Sequence, residues 1–404
     1  MKKIAVFLLS LLLLISVTLP YNTIVGNASS NDEEYVIKSS VIFTAFSKIW
    51  NFTEEEKAIN LYMNTSWQTV NLINSSSTLE SVKTDGDRNS IAILNMTNIT
   101  AGTSTEYTVF YQILSTPRNL PNIDESTAYN LSEIPHNLTD PYLSNSGTWM
   151  TNNIELQHLA ENLAGNETNV LVIVENFVNW IWKTVDYPRG NPKVSHEVPL
   201  YPNETLFYKE GDCDDQAILL ISLCRIIGIP AYLQIGCIND STISTSANPA
   251  WNGTVENTQI HIAWHGWAMV YIPPWDWLPV DLTYSSRGNP LNAIKTAAVA
   301  DQNTIQYMNI IKTDYAIEAR QYRIFLANNN FKIQTYDEII PEHGTDPFVI
   351  IPESLIQYVL IVLLFVGVIT SSAVVLLYVK RTKKNTNREP MTSSNPLLSK
   401  CKPL

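Results

Sequence analysis

The sequence predicts an α+β protein built from an N-terminal β-sandwich, a core of mixed helices and strands, and a single transmembrane helix. Three observations support this fold class. Short runs of alternating apolar and polar residues, separated by turn signals, fill residues 34–114 and are typical of a sandwich. Apolar residues at helical spacing follow at 154–181 and again at 213–227. Residues 355–379 carry no charge, and a stretch of this length can span a bilayer as a helix.

The two ends of the chain predict its topology. Lys2 and Lys3 precede an apolar run at 4–19, an order typical of a secretory signal, so residues 1–28 are assigned to a signal peptide. An uncleaved N-terminal anchor is the alternative. The basic tail at 380–404 directly follows the apolar segment, which predicts a cytoplasmic tail and an external N-terminal part. We therefore expect a single-pass protein of the cell membrane.

Charge and glycosylation signals agree with an external location. Of the 26 basic and 38 acidic residues, nine basic and one acidic lie in the signal and the tail, which leaves a net charge of −20 elsewhere. A surface this acidic argues against nucleic acid as a partner. Twelve Asn-X-Ser/Thr sequons precede the apolar segment and predict a glycosylated outer surface. They begin at Asn27, Asn51, Asn64, Asn74, Asn95, Asn98, Asn130, Asn137, Asn166, Asn203, Asn239 and Asn252.

Changes of pattern mark the predicted domain boundaries. Residues 29–145 hold the sandwich and a linker rich in Pro, Asn and Ser, which begins at Thr116. Residues 146–290 form the mixed core, and residues 291–354 complete the external part. In this last part we expect a loop with a helix, followed by a pair of strands at 315–336.

Three helices and a strand open the predicted core. Two helices break at Gly165, and a third begins with Cys213 and closes at Gly228. A strand at 231–238 comes next, and we expect a polar loop at 239–253.

A hairpin completes the predicted core. Its strands are residues 261–272 and 277–284, joined by a Pro-Pro-Trp-Asp turn. If the turn is centred on its second proline, His265 lies opposite Tyr284 and within three positions of Asp281.

Cys213 has the position of a nucleophile. At the first turn of a helix it faces unpaired backbone N–H groups and the positive end of the helix dipole, which favour a thiolate. The alternative is a small buried hydrophobe. Cys213 and Cys224 lie about 16 Å apart on one helix and cannot form a disulfide. Either Cys224 forms a disulfide with Cys237, or both remain buried thiols.

Cys213, His265 and Asp281 are the groups that thiol catalysis requires. The thiol needs a base for its proton, and the base needs an acceptor that fixes its tautomer. The sequence around these residues closely resembles the transglutaminase-like superfamily. The segments that carry the resemblance are Gly-Asp-Cys-Asp-Asp-Gln-Ala at 211–217, Arg-Ile-Ile-Gly-Ile-Pro-Ala at 225–231, His-Gly-Trp at 265–267 and Trp-Leu-Pro-Val-Asp-Leu-Thr at 277–283.

This resemblance covers residues 152–284 and implies a papain-like core, in which a helix presents the nucleophile against a sheet. It implies that Cys213 is the nucleophile, His265 the general base and acid, and Asp281 the orienting carboxylate. The implied chemistry is attack on an amide carbonyl to give a thioester. Water as acceptor makes a peptidase or amidase, whereas a lysine amine makes a crosslinker. The β-rich segment before the core is similar to a domain that often accompanies it.

Other residues near the thiol have two interpretations each. The backbone N–H of Cys213 is an obvious oxyanion donor, and Trp180 or Trp182 is a second candidate, although we expect both to pack in the core. Three acids flank the thiol and would oppose a thiolate if they point towards it, whereas helix capping is the other explanation. These acids are Asp212, Asp214 and Asp215.

The predicted function is a cell-surface cysteine enzyme that acts on amide bonds of proteins or peptides, with hydrolysis favoured. The alternatives are a catalytically idle adhesion or assembly module and a crosslinking transglutaminase. No cofactor is predicted, because no acidic loop has calcium-binding spacing. A metal site of Cys213, His261 and His265 is a further alternative, but zinc sites usually present more ligands. The expected partners are a protein or peptide substrate and the membrane, and not nucleic acid.

Overall fold

The computed structural model describes residues 32–145 and 147–341. The predicted signal peptide at 1–28, the transmembrane segment at 355–379 and the tail at 380–404 lie outside these residues. Within the described residues, no helix combines the length and apolar character that crossing a membrane requires.

The strands of the described chain form one large and one small sheet. Neighbouring strands of the large sheet follow the order β10-β7-β8-β11-β1-β6-β3, with β9 added beside β8. The small sheet has the order β2-β5-β4. The strand bounds are β1 Glu33–Ala45, β2 Ala58–Asn60, β3 Gln68–Ser75, β4 Leu79–Thr84, β5 Ser90–Leu94, β6 Thr103–Ser115, β7 Ala231–Ala250, β8 Val255–Tyr271, β9 Trp277–Val280, β10 Thr304–Ile310 and β11 Phe331–Pro341.

The helices agree with the predicted order through the core. As predicted, the first two long helices are separated at Gly165, whose φ of +57° ends the first of them in a conformation that favours glycine. The helix bounds are α1 Thr139–Tyr142, α2 Ile154–Ala164, α3 Val170–Thr184, α4 Pro202–Tyr208, α5 Cys213–Ile227, α6 Asn292–Lys295 and α7 Tyr315–Asn329.

The predicted fold class is wrong in its architecture. The strands assigned to a separate sandwich are present, but β1, β3 and β6 lie in the same sheet as the strands of the core. β1 pairs with β11 from Tyr35 opposite Pro341 to Ala45 opposite Phe331, so the first strand is held by the last. Alternation along a strand predicts which face is buried but not which strand is its neighbour. The transmembrane helix of the predicted fold class is also not found among the described residues.

Two local predictions are wrong as well. The segment at 239–253, expected to be a loop, is mostly strand, because β7 runs to Ala250. The N-terminal part of β8, which comes next, pairs in parallel with β11. The strand pair expected at 315–336 is helix α7 followed by β11. The side chain of Asp314 accepts a hydrogen bond from the N–H of Ile317 at 3.2 Å, which caps α7 and favours a helix there.

Helix α5 is the most enclosed element of the core. Every residue from Asp215 to Arg225 is buried, and the helix packs on α2, α3, β7 and β8. Gly228 takes the left-handed conformation after its last turn, as predicted. The guanidinium of Arg225 donates to the carbonyls of Ala231 and Ile311 at 2.8 and 2.9 Å, which fixes the far end of the helix. The position of the first turn of α5 is therefore set by packing along the whole helix.

Candidate active site

Cys213 is the first residue of α5 and is partly exposed. The backbone N–H groups of Asp214 and Gly266 act on its sulfur and lower the pKa of the thiol. Gly266 follows His265 directly in β8, so the thiol lies against the strand that carries the predicted base. A Cβ on Gly266 would come within 3.2 Å of Asp214 Cβ and 3.1 Å of Ile235 Cδ1. The close approach of helix and strand therefore depends on a glycine at this position.

His265 and Asp281 form a buried pair. Nε2 of His265 lies 2.9 Å from Oδ2 of Asp281, and their side chains are 9% and 1% exposed. The predicted hairpin brings them together, with a register one residue tighter than expected, because Tyr271 pairs with Trp277. An ionised carboxylate only accepts hydrogen bonds, so Nε2 carries the proton and Nδ1 of neutral His265 is an acceptor.

The carboxylate of Asp281 is fixed by backbone donors as well as by His265. Oδ1 accepts from the N–H groups of Thr283 and Tyr284, both at 3.1 Å, and Oδ2 also accepts from the N–H of Ala298 at 3.0 Å. Burial alone would raise the pKa of Asp281, but the bond from His265 and these backbone donors hold it below its usual range. Asp281 is therefore an ionised, oriented acceptor for the imidazole.

The charges around the thiol oppose a preformed thiolate. Burial raises the pKa of Cys213 well above its usual value, and Asp214 and Asp212 raise it further, while the N–H groups of Gly266 and Asp214 act in the opposite direction. The helix N-terminus therefore does not by itself produce the thiolate that was expected from the sequence. Proton transfer to a neighbouring base is needed to activate this thiol.

The three acids beside Cys213 differ in where they point. The carboxylate of Asp215 is turned to Leu200 N–H at 2.7 Å and to His196, and it also accepts from the N–H of Asp212 at 3.2 Å. A carboxylate oxygen of Asp212 and one of Asp214 lie within 4.8 Å of the Cys213 sulfur and of each other, and burial raises the pKa of Asp214 well above its usual range. Asp215 is therefore turned away from the sulfur, whereas Asp212 and Asp214 lie beside it.

His196 was not predicted as part of the site, yet it lies close to the start of α5. Its Nδ1 is 2.8 Å from Asp215 Oδ2, and its Nε2 is 3.3 Å from Glu210 Oε1. The bond to Asp215, and to a lesser extent that to Glu210, raises the pKa of His196 to about 9 against the opposing effect of burial. Lys193 N–H adds a bond of 2.6 Å to Glu210. This cluster fixes the loop before α4 to the first turn of α5.

The other candidates from the sequence have different roles. Nδ1 of His261 lies 3.2 Å from the carbonyl of Ile339, and His261 does not join the thiol and His265 in a ligand set. Nε1 of Trp182 donates to Leu282 O at 2.7 Å, so it is not free to act as an oxyanion donor, and Trp180 packs against the core. Within the described residues, two sets bring metal-type ligand atoms within 4.8 Å of one another. They are Asp212 with Cys213 and Asp214, and Asp212 with His196 and Asp215.

A cleft of about 560 Å³ opens beside these groups. One wall comes from the loop after α3 and the other from the loop after Asp281. Tyr187 follows Asp186, whose carbonyl accepts a hydrogen bond from the N–H of Gly211 at 3.0 Å, so this wall lies near the start of α5. Burial and then the charge of Cys213 raise the pKa of the Tyr187 phenol to about 12. The lining residues are Asp186, Tyr187, Arg189, Thr283 and Arg287.

Comparison with known families supports the resemblance found in the sequence. Residues 157–282 match the family model of the transglutaminase-like superfamily. The chain contains a transglutaminase-like domain. This match includes all three predicted catalytic residues and supports a cysteine enzyme of this kind. No curated protein matches the chain.

Solved structures show weaker similarity to this chain. A candidate cysteine protease of Cytophaga hutchinsonii is 18% identical, with 79% of this chain and 94% of that chain covered and a TM-score of 0.47. The periplasmic domain of TgpA from Pseudomonas aeruginosa is 16% identical, with 64% and 71% covered and a TM-score of 0.33. LapG of Legionella pneumophila is 15% identical, with 48% and 94% covered and a TM-score of 0.26. Similarities at this level carry no argument about chemistry.

Proposed function

We propose that this protein is a cysteine enzyme that hydrolyses amide bonds of proteins or peptides, with Cys213, His265 and Asp281 as its catalytic residues. The observation that carries the proposal is the buried bond between His265 and Asp281. Gly266, the residue after His265, packs against Asp214 in the first turn of the helix that begins at Cys213. A histidine with one nitrogen held by a carboxylate and the other an acceptor is suited to take a thiol proton.

The reaction follows from this arrangement. Nδ1 of His265 takes the proton of the Cys213 thiol as the sulfur attacks the amide carbonyl. The imidazolium, stabilised by Asp281, then gives this proton to the leaving amine, and a thioester remains. Water attacks the thioester with His265 as base, which releases the acid and restores the thiol. The N–H of Cys213, the first of α5, has no intrahelical acceptor, and in this mechanism it binds the developing oxyanion.

Of the four cysteines in the sequence, three lie in the described residues, and their alkylation tests the nucleophile. Cys224 and Cys237 are fully buried and act as internal controls, whereas Cys213 is partly exposed. The purified protein is treated with iodoacetamide between pH 6 and 10, and the modified residues are mapped by mass spectrometry. We expect faster modification of Cys213 than of the other two, and slower modification of Cys213 after His265→Gln. Equal rates for all three cysteines would contradict the proposal.

A product assay separates hydrolysis from crosslinking. The protein is incubated with a peptide library and a labelled primary amine, beside a Cys213→Ala variant. Hydrolysis predicts new peptide termini and no incorporated amine, whereas a crosslinker incorporates the amine. Cys213→Ala should abolish turnover and leave thermal unfolding nearly unchanged, because Cys213 is a small, partly exposed side chain at the edge of the core.

The charges around the thiol favour a second candidate, a catalytically idle binding module. Asp212 and Asp214 raise the pKa of Cys213, which a site without thiol chemistry could tolerate. This candidate predicts that Cys213 does not react faster than the buried cysteines and that no substrate is turned over. The alkylation and product assays therefore decide between the two.

We also propose that the described part of the chain acts outside the cytoplasm as a glycoprotein. Eleven of its sequon asparagines are described, and eight of them are exposed: Asn51, Asn64, Asn95, Asn98, Asn130, Asn137, Asn166 and Asn252. An accessible side chain is a requirement for glycosylation. Removal of N-glycans should increase the electrophoretic mobility of the natively produced protein, and an unchanged mobility would contradict this proposal.

A further inference from the structure

Two arginines stand out in the cleft beside Cys213, because the chain as a whole is acidic. Its formal net charge is −12, yet the cleft is lined by Arg189 and Arg287, with Asp186 as the single acid. Asp186 has its own cation, since its carboxylate lies 3.8 Å from Lys193 Nζ. The lining of the cleft is therefore more positive than the rest of the described chain.

Neither arginine is neutralised within the described residues. Two other described arginines pair with acids: Arg320 lies 2.5 Å from Glu204, and Arg323 lies 3.1 Å from Glu197. No carboxylate lies within 4.0 Å of Arg189 or Arg287 in the described part of the chain. Nη1 of Arg287 donates to the carbonyl of Trp182 at 3.3 Å, which positions the guanidinium and leaves its other donors available.

The wall that carries Arg287 is continuous with the predicted catalytic residues. Thr283 lines the cleft, and its N–H donates to Oδ1 of Asp281 at 3.1 Å. The hydroxyl of Thr283 is buried and has no hydrogen-bond partner among the described residues. On the opposite wall, the carbonyl of Asp186 accepts from the N–H of Gly211, two residues before Cys213, at 3.0 Å, and Arg189 is three residues after Asp186 in the same loop. A group bound between the arginines is thus held near the start of α5.

We propose that this cleft binds a carboxylate of the substrate through Arg189 and Arg287, so that the enzyme selects acidic peptides. The inference rests on the proposed amide hydrolysis at Cys213. A guanidinium matches the planar carboxylate with two parallel hydrogen bonds. The carboxylate comes either from an Asp or Glu side chain or from the C-terminus of the peptide, and both present the same group to the arginines.

Cleavage of a peptide library tests this specificity. In the library, each position around a central segment is in turn Glu or Gln. Every peptide is made with a free and with an amidated C-terminus. We expect kcat/KM to be about fivefold or more higher for the peptides that carry the carboxylate, the upper range for an exposed ion pair. A preference that follows Glu identifies a side chain as the source, and one that follows the free terminus identifies the C-terminus.

Arginine variants show whether the cleft causes the preference. In Arg189→Gln and Arg287→Gln the ratio of kcat/KM between Glu and Gln peptides should fall towards one, chiefly through a higher KM for the Glu peptides. Arg287→Glu should reverse the preference in favour of Lys peptides. Arg88→Gln is the matched control, because Arg88 lines a different cleft, and it should leave the preference unchanged. Cleavage without any carboxylate preference, or a preference that survives both Gln variants, would overturn the proposal.

A binding measurement keeps this proposal separate from the proposed function. Fluorescence polarisation measures the binding of labelled Glu and Gln peptides to two proteins. One carries Cys213→Ala alone, and the other carries Cys213→Ala together with Arg189→Gln and Arg287→Gln. If the wild-type protein cleaves nothing but the Cys213→Ala protein binds Glu peptides in an arginine-dependent way, the cleft is an anion site and hydrolysis is refuted. If binding shows no such dependence, the cleft proposal is refuted, whatever the activity.

Discussion

Two histidines contact buried carboxylates near the start of α5, but their surroundings differ. His265 binds one carboxylate, that of Asp281, through Nε2, and within the described residues no hydrogen bond occupies its Nδ1. His196 binds two carboxylates, Asp215 through Nδ1 and Glu210 through Nε2. A histidine between two carboxylates is held as a cation with both protons committed.

This difference separates a group that can exchange a proton from one that only holds structure. One nitrogen of His265 is an acceptor, and the next residue of its strand, Gly266, acts on the thiol. His265 can therefore gain and lose a proton during a reaction. His196 connects a loop to the helix that carries the thiol, and its proton is stabilised by both neighbours. Replacement by Gln should therefore lower activity at His265 and stability at His196.

The largest expected effect is the loss of activity in His265→Gln. Without a base for the thiol proton, we expect kcat/KM to fall on the order of 10³-fold, within the range typical of general acid–base catalysis. Thermal unfolding should change little, because the amide of glutamine can still donate a hydrogen bond to Asp281. Turnover of the library peptides and thermal denaturation measure the two effects.

An exposed histidine on α2 provides the control for this prediction. His158→Gln removes an imidazole from the surface and should leave both activity and unfolding unchanged. Full activity in His265→Gln would show that the buried pair with Asp281 is structural and that another group activates Cys213.

The position of His265 near Asp281 could be predicted from the sequence because its signals are local. The turn between β8 and β9 lies within the hairpin, so spacing alone brings His265 within a residue of its observed position relative to Asp281. The helix that begins at Cys213 could be predicted in the same way, because the glycine at 228 ends it. His196, in contrast, lies in a loop without periodicity, and no spacing connects it to Glu210 or Asp215.

Long-range pairing explains the main error in the fold. Ser39 on β1 donates a hydrogen bond to Asp337 on β11, almost 300 residues later in the chain. The alternating pattern of β1 gave its strand character correctly, but a pattern within one strand contains no information on a partner so distant. Helix α7 was mistaken for a strand because its apolar residues, such as Ile324 with 58% exposure, do not mark one buried face.

The second expected effect is a loss of stability in His196→Gln. This change leaves Asp215 and Glu210 without the cation between them, and breaking a buried pair of this kind costs about 3 kcal/mol or more. Urea denaturation should show the decrease in the free energy of unfolding. At a temperature where the variant is folded, we expect it to keep most of its kcat, because His196 does not contact the reacting atoms in the proposed mechanism. Normal stability with lost activity would instead assign His196 to the chemistry.

The smallest expected effect is a pH dependence of stability that comes from His196. Its pKa in the folded protein is about 9, raised from an ordinary value of 6.5, so the folded state binds the proton more tightly than the unfolded state. This contribution to stability is fully present below pH 6.5 and is lost as the pH rises through 9. We therefore expect the Tm difference between wild type and His196→Gln to narrow by a few degrees between pH 6.5 and 9.5. Burial also raises the pKa of Glu175 to about 7. Because Glu175 is present in both proteins, its effect on Tm cancels in the Tm difference between them. Parallel Tm curves for the two proteins would show that His196 is not held as a cation, and would remove the distinction between the two histidines.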